Sequence, residues 1–241
     1  VAATAAGFDH VHKRYGRLTA VRDISLEVPT GSAFALLGPN RAGKTTLVKL
    51  LLSLSRPTSG AITRLGRPAR DRRTLGRVGY MHENHAFPRY LSATEVLHLY
   101  AGLTGLPSDI IPKRCAELLD RVGLADRGRE PISRFSKGMV QRLGLAQALA
   151  ADPDLLILDE PTEGLDLFGR QLLRDVVAGV KRAGKTVVLV SHVLAEVQEL
   201  CDEAAVLVAG ELAYRGPLAD LSAGGGLEAG LTAVYRKGVA A

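Results

Sequence analysis

A chain of 241 residues, 46% hydrophobic and 23% charged, holds enough apolar material for one sizeable core and a subdomain, and its composition is that of an ordinary globular protein. No apolar run approaches the roughly 18–20 residues of a membrane-spanning helix. No secretory leader is recognisable at VAATAAGFDH, where the absent initiator Met leaves N-terminal processing open. Much of the net charge of +6 sits in TRLGRPARDRRTLGR, which carries Arg64, Arg67, Arg70, Arg72, Arg73 and Arg77. Such a cluster could face anionic lipid or nucleic acid. Without interleaved aromatics it fits a solvated hairpin and helix face better, and that is the expectation. Cys115 and Cys201 lack metal-ligand spacing and are expected to be reduced, partly buried thiols of a cytosolic protein.

Residues 7–37 read as β structure: TAVRDISLEV alternates, SAFALLG is a continuous apolar run, and PTG turns between them. A helix is expected from Gly43 to about Ser53, then a short strand at RVGY. Helical patterns follow at SATEVLHLYAGLTGL, opened by a Ser92–Glu95 capping box; at DIIPKRCAELLDRVGL, with Pro112 in its first turn; and at SKGMVQRLGLAQALA. LLILDE and TVVLVSH read as central parallel strands buried on both faces, joined by the helical DLFGRQLLRDVVAGVKRAG. EAAVLVAGELAYRG reads as a hairpin about Ala209-Gly210. The tail from Pro217 reads as loose, with Gly224–Gly226 as a flexible break.

GPNRAGKT, residues 38–45, fits G-x-x-x-x-G-K-[ST] between a strand and a helix. Glycines let successive N–H groups curl around an anion, and the following helix aims its positive end at the same place. Lys44 would add a point charge on the β- and γ-phosphate oxygens, and the Thr45 hydroxyl could ligate Mg²⁺. Asp159 ends a buried strand, where P-loop NTPases hold Mg²⁺, and Glu160 follows it, placed to polarise an attacking water as general base. Ser136 precedes a helical pattern and is a plausible N-cap; with the Gly138 backbone it would make a second anion site.

Taken together these residues resemble the ATP-binding subunit of ATP-binding-cassette (ABC) transporters, over nearly the whole chain. The family's signature loop, usually LSGGQ, stands as FSKGM at 135–139, followed by VQRLGLAQALAADPDLLILDEPTEGLD. The wording around it, with a GY-x-x-E version of the Q-loop at VGYMHEN, is most similar to subunits of ABC-2 type exporters. The resemblance implies an α/β P-loop NTPase (RecA-like) fold with an N-terminal antiparallel β subdomain and a helical insert. It implies one ABC ATPase domain over 1–241: a nucleotide-binding core at 1–85 and 153–216, a helical subdomain at 86–152, and a C-terminal tail at 217–241.

By the same resemblance Tyr15 stacks on adenine, and Gly38, Pro39, Asn40, Arg41, Ala42, Gly43, Lys44, Thr45 and Thr46 wrap the phosphates. Lys44, Glu160 and His192 are the catalytic set, and Thr45, Asp159 and Glu83 hold Mg²⁺. Ser136, Lys137, Gly138, Met139 and Gln141 meet the ATP of an opposing subunit, and Asp166 belongs to the D-loop. His10, His12, His82, His85 and His98 match nothing in the family pattern and read as incidental. Two positions depart from it. Arg41 replaces a glycine where curvature often demands one, and is expected to point to solvent or to an opposing subunit. Glu83 replaces a glutamine, and a carboxylate can still hold Mg²⁺.

The implied protein binds ATP and Mg²⁺, forms a homo- or heterodimer around two ATP molecules, hydrolyses them, and drives a separate transmembrane permease from the cytoplasmic face of the membrane, with no nucleic acid involved. Two rivals remain at this point: a soluble ABC-type ATPase unconnected with transport, and a regulatory subunit that binds ATP without hydrolysing it.

Overall fold

The computed structural model describes residues 3–239. In chain order the strands are β1 (Thr4–Tyr15), β2 (Leu18–Pro29), β3 (Ala33–Leu37), β4 (Ser59–Arg64), β5 (Arg67–Pro68), β6 (Val78–Met81), β7 (Leu155–Asp159), β8 (Thr186–Val190), β9 (Glu203–Val208) and β10 (Glu211–Pro217). The helices are α1 (Lys44–Leu51), α2 (Ala93–Leu103), α3 (Ile111–Arg121), α4 (Lys137–Ala148), α5 (Leu167–Arg182), α6 (Leu194–Leu200), α7 (Leu218–Ser222) and α8 (Leu227–Val239). They form two compact units, one of residues up to 74 together with those from 180 onward, the other of 75–179.

The first unit holds two sheets. One is antiparallel in the order β2-β1-β4-β5. On β2 the side chains of Val21, Ile24, Leu26 and Val28 are buried, whereas Arg22 and Asp23 are both exposed. The alternation slips there because Asp23 takes φ 50 in a bulge, which restores the inward phase for the rest of the strand. β4 and β5 form a hairpin in the arginine-rich segment, where one was expected, and turn at Leu65-Gly66 with φ 51 and 72. The second sheet sets β3 parallel to both β8 and β9, with β10 antiparallel to β9. β3 and β8 are buried at every position, which is why they read as unbroken apolar runs. The β9–β10 hairpin turns at Ala209 and Gly210, φ 49 and 86, as a two-residue turn requires.

Two expectations are corrected in this unit. Arg64 is not part of a solvated face: it is fully buried and donates to the Leu51 carbonyl, Thr74 Oγ1 at 2.7 Å, Ser53 Oγ at 3.1 Å, Ala69 O at 2.8 Å and Asp71 O at 3.1 Å. Such a planar fork pins the turn of residues 69–74 to the end of α1, and burial pulls its pKa down. Arg67, Arg70, Arg72 and Arg73 are exposed as expected. Nor is the tail from Pro217 loose. It holds α7 and α8; Leu227 and Leu231 of α8 are buried, and Gly230 approaches α7 so closely that a Cβ there would overlap the Leu221 carbonyl. The glycine break survives as the α7–α8 joint, where Gly225 and Gly226 take φ 123 and 95.

In the second unit β6 and β7 pair in parallel, and α2, α3 and α4 pack on one another. The Ser92–Glu95 capping box forms, and Pro112 lies in the first turn of α3. α3 stops ahead of Gly123, φ 64, and Arg142 of α4 donates to the carbonyls of Val122 at 2.9 Å and Gly123 at 3.2 Å. A Cβ at Gly79 would overlap the Ala148 carbonyl, so the end of α4 rides directly on β6. Cys115 and Cys201 are free and buried, and burial raises both thiol pKa values, that of Cys201 to about 12. Among the described residues no helix is long and apolar enough to cross a membrane.

Candidate nucleotide site

The phosphate loop leaves β3 at Gly38, whose φ of 146 and contact with the Leu207 carbonyl leave no room for a Cβ. The chain turns over Pro39–Ala42 and enters α1 through Gly43, φ 108, where a Cβ would meet Ala20 O at 2.7 Å. Gly43 offers no side-chain cap and the first turn of α1 carries no acid, so the N–H groups there are open to an anion. Lys44 folds back over the loop and donates to Gly38 O at 2.6 Å and Pro39 O at 3.1 Å. Thr45 is exposed on the first turn of the helix. Arg41 occupies the left-handed region at φ 67, its side chain exposed and without a hydrogen bond or ion pair among the described residues. The expected departure of this residue is therefore a backbone strain of about 1 kcal/mol carried on a solvated cation.

His192 follows β8 and is exposed. With Gly38, Pro39 and Asn40 it lines a cavity of about 500 Å³, closed on another side by Glu228, Thr232 and Tyr235 of α8. Tyr15, at the end of β1, is 45% exposed, with Lys13 Nζ 4.6 Å above its ring.

The acidic candidate residues lie in the second unit. Asp159 is buried at the end of β7 and accepts a hydrogen bond from the Tyr80 hydroxyl of β6 at 3.4 Å. Its pKa is raised, by burial first and then by the charges of Glu160 and Glu83, with His82 and Tyr80 pulling the other way. Tyr80 is raised in turn, chiefly by burial and then by Asp159. A divalent cation beside Asp159 would relieve the repulsion from Glu160 and Glu83. Among the described residues no group of three or more His, Cys, Asp or Glu forms a metal site by itself. Glu160 takes φ 48, an unusual conformation for a side-chain-bearing residue.

Ser136 is the N-cap of α4, as expected, its Oγ accepting from Met139 N at 3.2 Å. Ser136 and Lys137 are exposed, and Lys137 forms an ion pair with Glu163. Gly138 lies close beneath the Gly164 carbonyl, 3.0 Å from where a Cβ would stand. Gln141, grouped in sequence with the outward-facing signature residues, turns inward instead. It is 3% exposed and its Nε2 reaches Glu160 O at 3.4 Å and Pro161 O at 3.3 Å, so it holds the backbone of the acidic turn. Asp166 caps α5, accepting from Gly169 N at 2.8 Å. Tyr80 and the inward role of Gln141 escaped the sequence. Only the strand pairing, which sets Tyr80 beside Ile157 and Met81 beside Leu158, brings the phenol to Asp159.

A strand–glycine loop–helix cradle with an acid-terminated parallel strand defines a P-loop nucleotide-binding α/β protein. The family model described as ABC transporter matches residues 21–163, more than half of the chain. An ABC transporter ATP-binding protein of Nostoc sp. is 47% identical over 207 residues, covering 85% of this chain and 62% of that protein. The lantibiotic transport ATP-binding protein SrtF of Streptococcus pyogenes is 40% identical over 194 residues, covering 80% of this chain and 82% of that one. A solved structure of the ATP binding subunit of an ABC transporter superposes with a TM-score of 0.89 at 28% identity, covering 96% of this chain and 99% of the other. The chain belongs to the ABC transporter family. It spans about three fifths of the length of the Nostoc protein and of a similar one from Synechocystis sp., 62% and 58% respectively.

Proposed function

We propose that this chain is the ATP-binding and ATP-hydrolysing subunit of an ABC transporter of the exporter kind, peripheral on the cytoplasmic face and driving a separate membrane permease. The observation that carries the reading is that one chain has both an uncapped glycine loop ahead of α1 at Gly38–Thr45 and a serine-capped start of α4, each of which we read as a phosphate-holding element. One chain needs only one of them for one nucleotide. Two copies arranged head to tail would use both, the cradle of one and Ser136 with Gly138 of the other closing on the same ATP. The name of SrtF favours transport, and that of a Nod factor export ATP-binding protein, 38% identical over 213 residues, favours export.

In this reading Lys44 exchanges its bonds to the Gly38 and Pro39 carbonyls for the β- and γ-phosphate oxygens. Thr45, Asp159 and Glu83 would hold Mg²⁺, which supplies charge neutralisation for the phosphates. Glu160 accepts a proton from the attacking water, and its unusual φ is held by Gln141 from beneath. His192, which lines the same cavity as Asn40, would hydrogen-bond the γ-phosphate and register its departure. Tyr15 would stack on adenine with the ring face that Lys13 leaves free. Dimerisation would then depend on ATP, and hydrolysis would open the pair.

The test is steady-state hydrolysis of MgATP by the chain and by Glu160→Gln. Removal of a general base should lower kcat by about 100-fold or more with ATP affinity retained. Equal turnover would remove Glu160 from this role, and no turnover by the parent chain would favour a regulatory subunit that binds ATP without hydrolysing it.

A further inference from the structure

The loop that carries Glu83 also carries a histidine for which the fold has a place. The His85 ring lies against α4 at Gly144, so near that a Cβ on that residue would overlap its Nε2, Cε1 and Cδ2. Gly144 takes no left-handed φ, and a glycine inside a helix weakens it relative to alanine. The ring occupies the space that a side chain at Gly144 would need. Phe87 backs the imidazole, centroids 5.1 Å apart and planes within 8°, and Tyr100 of α2 meets Phe87 edge-on at 5.9 Å. His85 Nε2 is buried in this seat with no hydrogen-bond partner among the described residues. A plain hydrocarbon ring would fill the notch without stranding a polar atom. The seat thus fits by shape but holds weakly, since leaving it would return the nitrogen to water.

We infer that His85 is a positioning residue, a releasable latch that seats the Glu83 loop on the signature helix so that the two move as one body until the ring leaves its notch. The inference rests on the nucleotide-site reading of Glu83 and Ser136. α4 already carries Ser136 at its start and grips Glu160 and Pro161 through Gln141. With His85 seated at Gly144, the same helix also governs where Glu83 stands.

The experiment combines hydrogen exchange of residues 82–87 with ATP hydrolysis, on Gly144→Ala, His85→Ala, the double variant and His85→Phe. A methyl at position 144 should expel the ring, speeding exchange of the loop by about tenfold and lowering kcat by about tenfold, with KM for ATP within about twofold. His85→Ala should do the same. The double variant should be no worse than His85→Ala alone, because no ring is left to expel. His85→Phe should slow exchange below that of the parent chain. Multiplying losses in the double variant, or unchanged exchange in Gly144→Ala, would overturn the latch. Should Gly144→Ala not fold, faster exchange in His85→Ala with slower exchange in His85→Phe upholds the latch, and the same rate in both overturns it. If the parent chain hydrolyses no ATP but the exchange pattern appears, the latch stands and the hydrolytic reading falls.

Discussion

The phosphate loop and the loop of residues 82–87 each present a site residue, and they are held in opposite ways. The first is fixed by its backbone. Gly38 and Gly43 take positive φ, and each abuts a carbonyl oxygen, of Leu207 and of Ala20, which cannot move aside as a side chain could. The second contains no positive φ at all. Its position comes from His85 on Phe87, Phe87 on Tyr100, and the ring in the notch at Gly144. A backbone-made cradle tolerates nothing at a few positions and nearly anything elsewhere. A side-chain-made perch depends on ring contacts and on a notch more than fifty positions away, and can be undone or tightened by degrees.

The contrast can be broken at its strong end first. Gly38→Ala adds a methyl that overlaps the Leu207 carbonyl at a φ alanine disfavours. ATP affinity, measured by calorimetry, should fall by about tenfold or more. Phe87→Leu probes the other loop: it keeps an apolar contact but loses two ring–ring contacts, so denaturant unfolding should show a loss of about 1 kcal/mol, with ATP affinity unchanged. Equal sensitivity of ATP binding to both changes would erase the distinction. The smallest effect belongs to Arg41→Gly. It relieves the left-handed φ of 67 while loosening the unfolded chain, so stability should rise by no more than about 1 kcal/mol. A clear loss of stability would mean that the guanidinium is anchored.

The same contrast explains what could be read from the sequence. The cradle was legible because a backbone that must curl writes itself as glycine, lysine and threonine at fixed spacing. The buried strands ending at Asp159 and before His192 were legible as apolar runs, and the caps at Ser92 and Ser136 as serines ahead of helical periodicity. Tyr80, Gln141 and His85 were not, because each owes its place to a partner far along the chain, and nothing local separates a histidine in a notch from an incidental one. Arg64 was misread for the same reason: five arginines around it are charged surface, and only the fold shows that the sixth is an internal brace. The tail was misread through its glycines, since Gly230 permits a close helix contact and Gly225-Gly226 only a joint.

The most direct test of the central claim is the mass in solution, by light scattering, of the Glu160→Gln chain with and without MgATP. The proposed head-to-tail closure predicts a shift from 25.6 kDa to about twice that value when MgATP is present and not when it is absent. A chain that binds MgATP yet stays at 25.6 kDa would contradict the head-to-tail closure on which the reading of Ser136 and Gly138 depends.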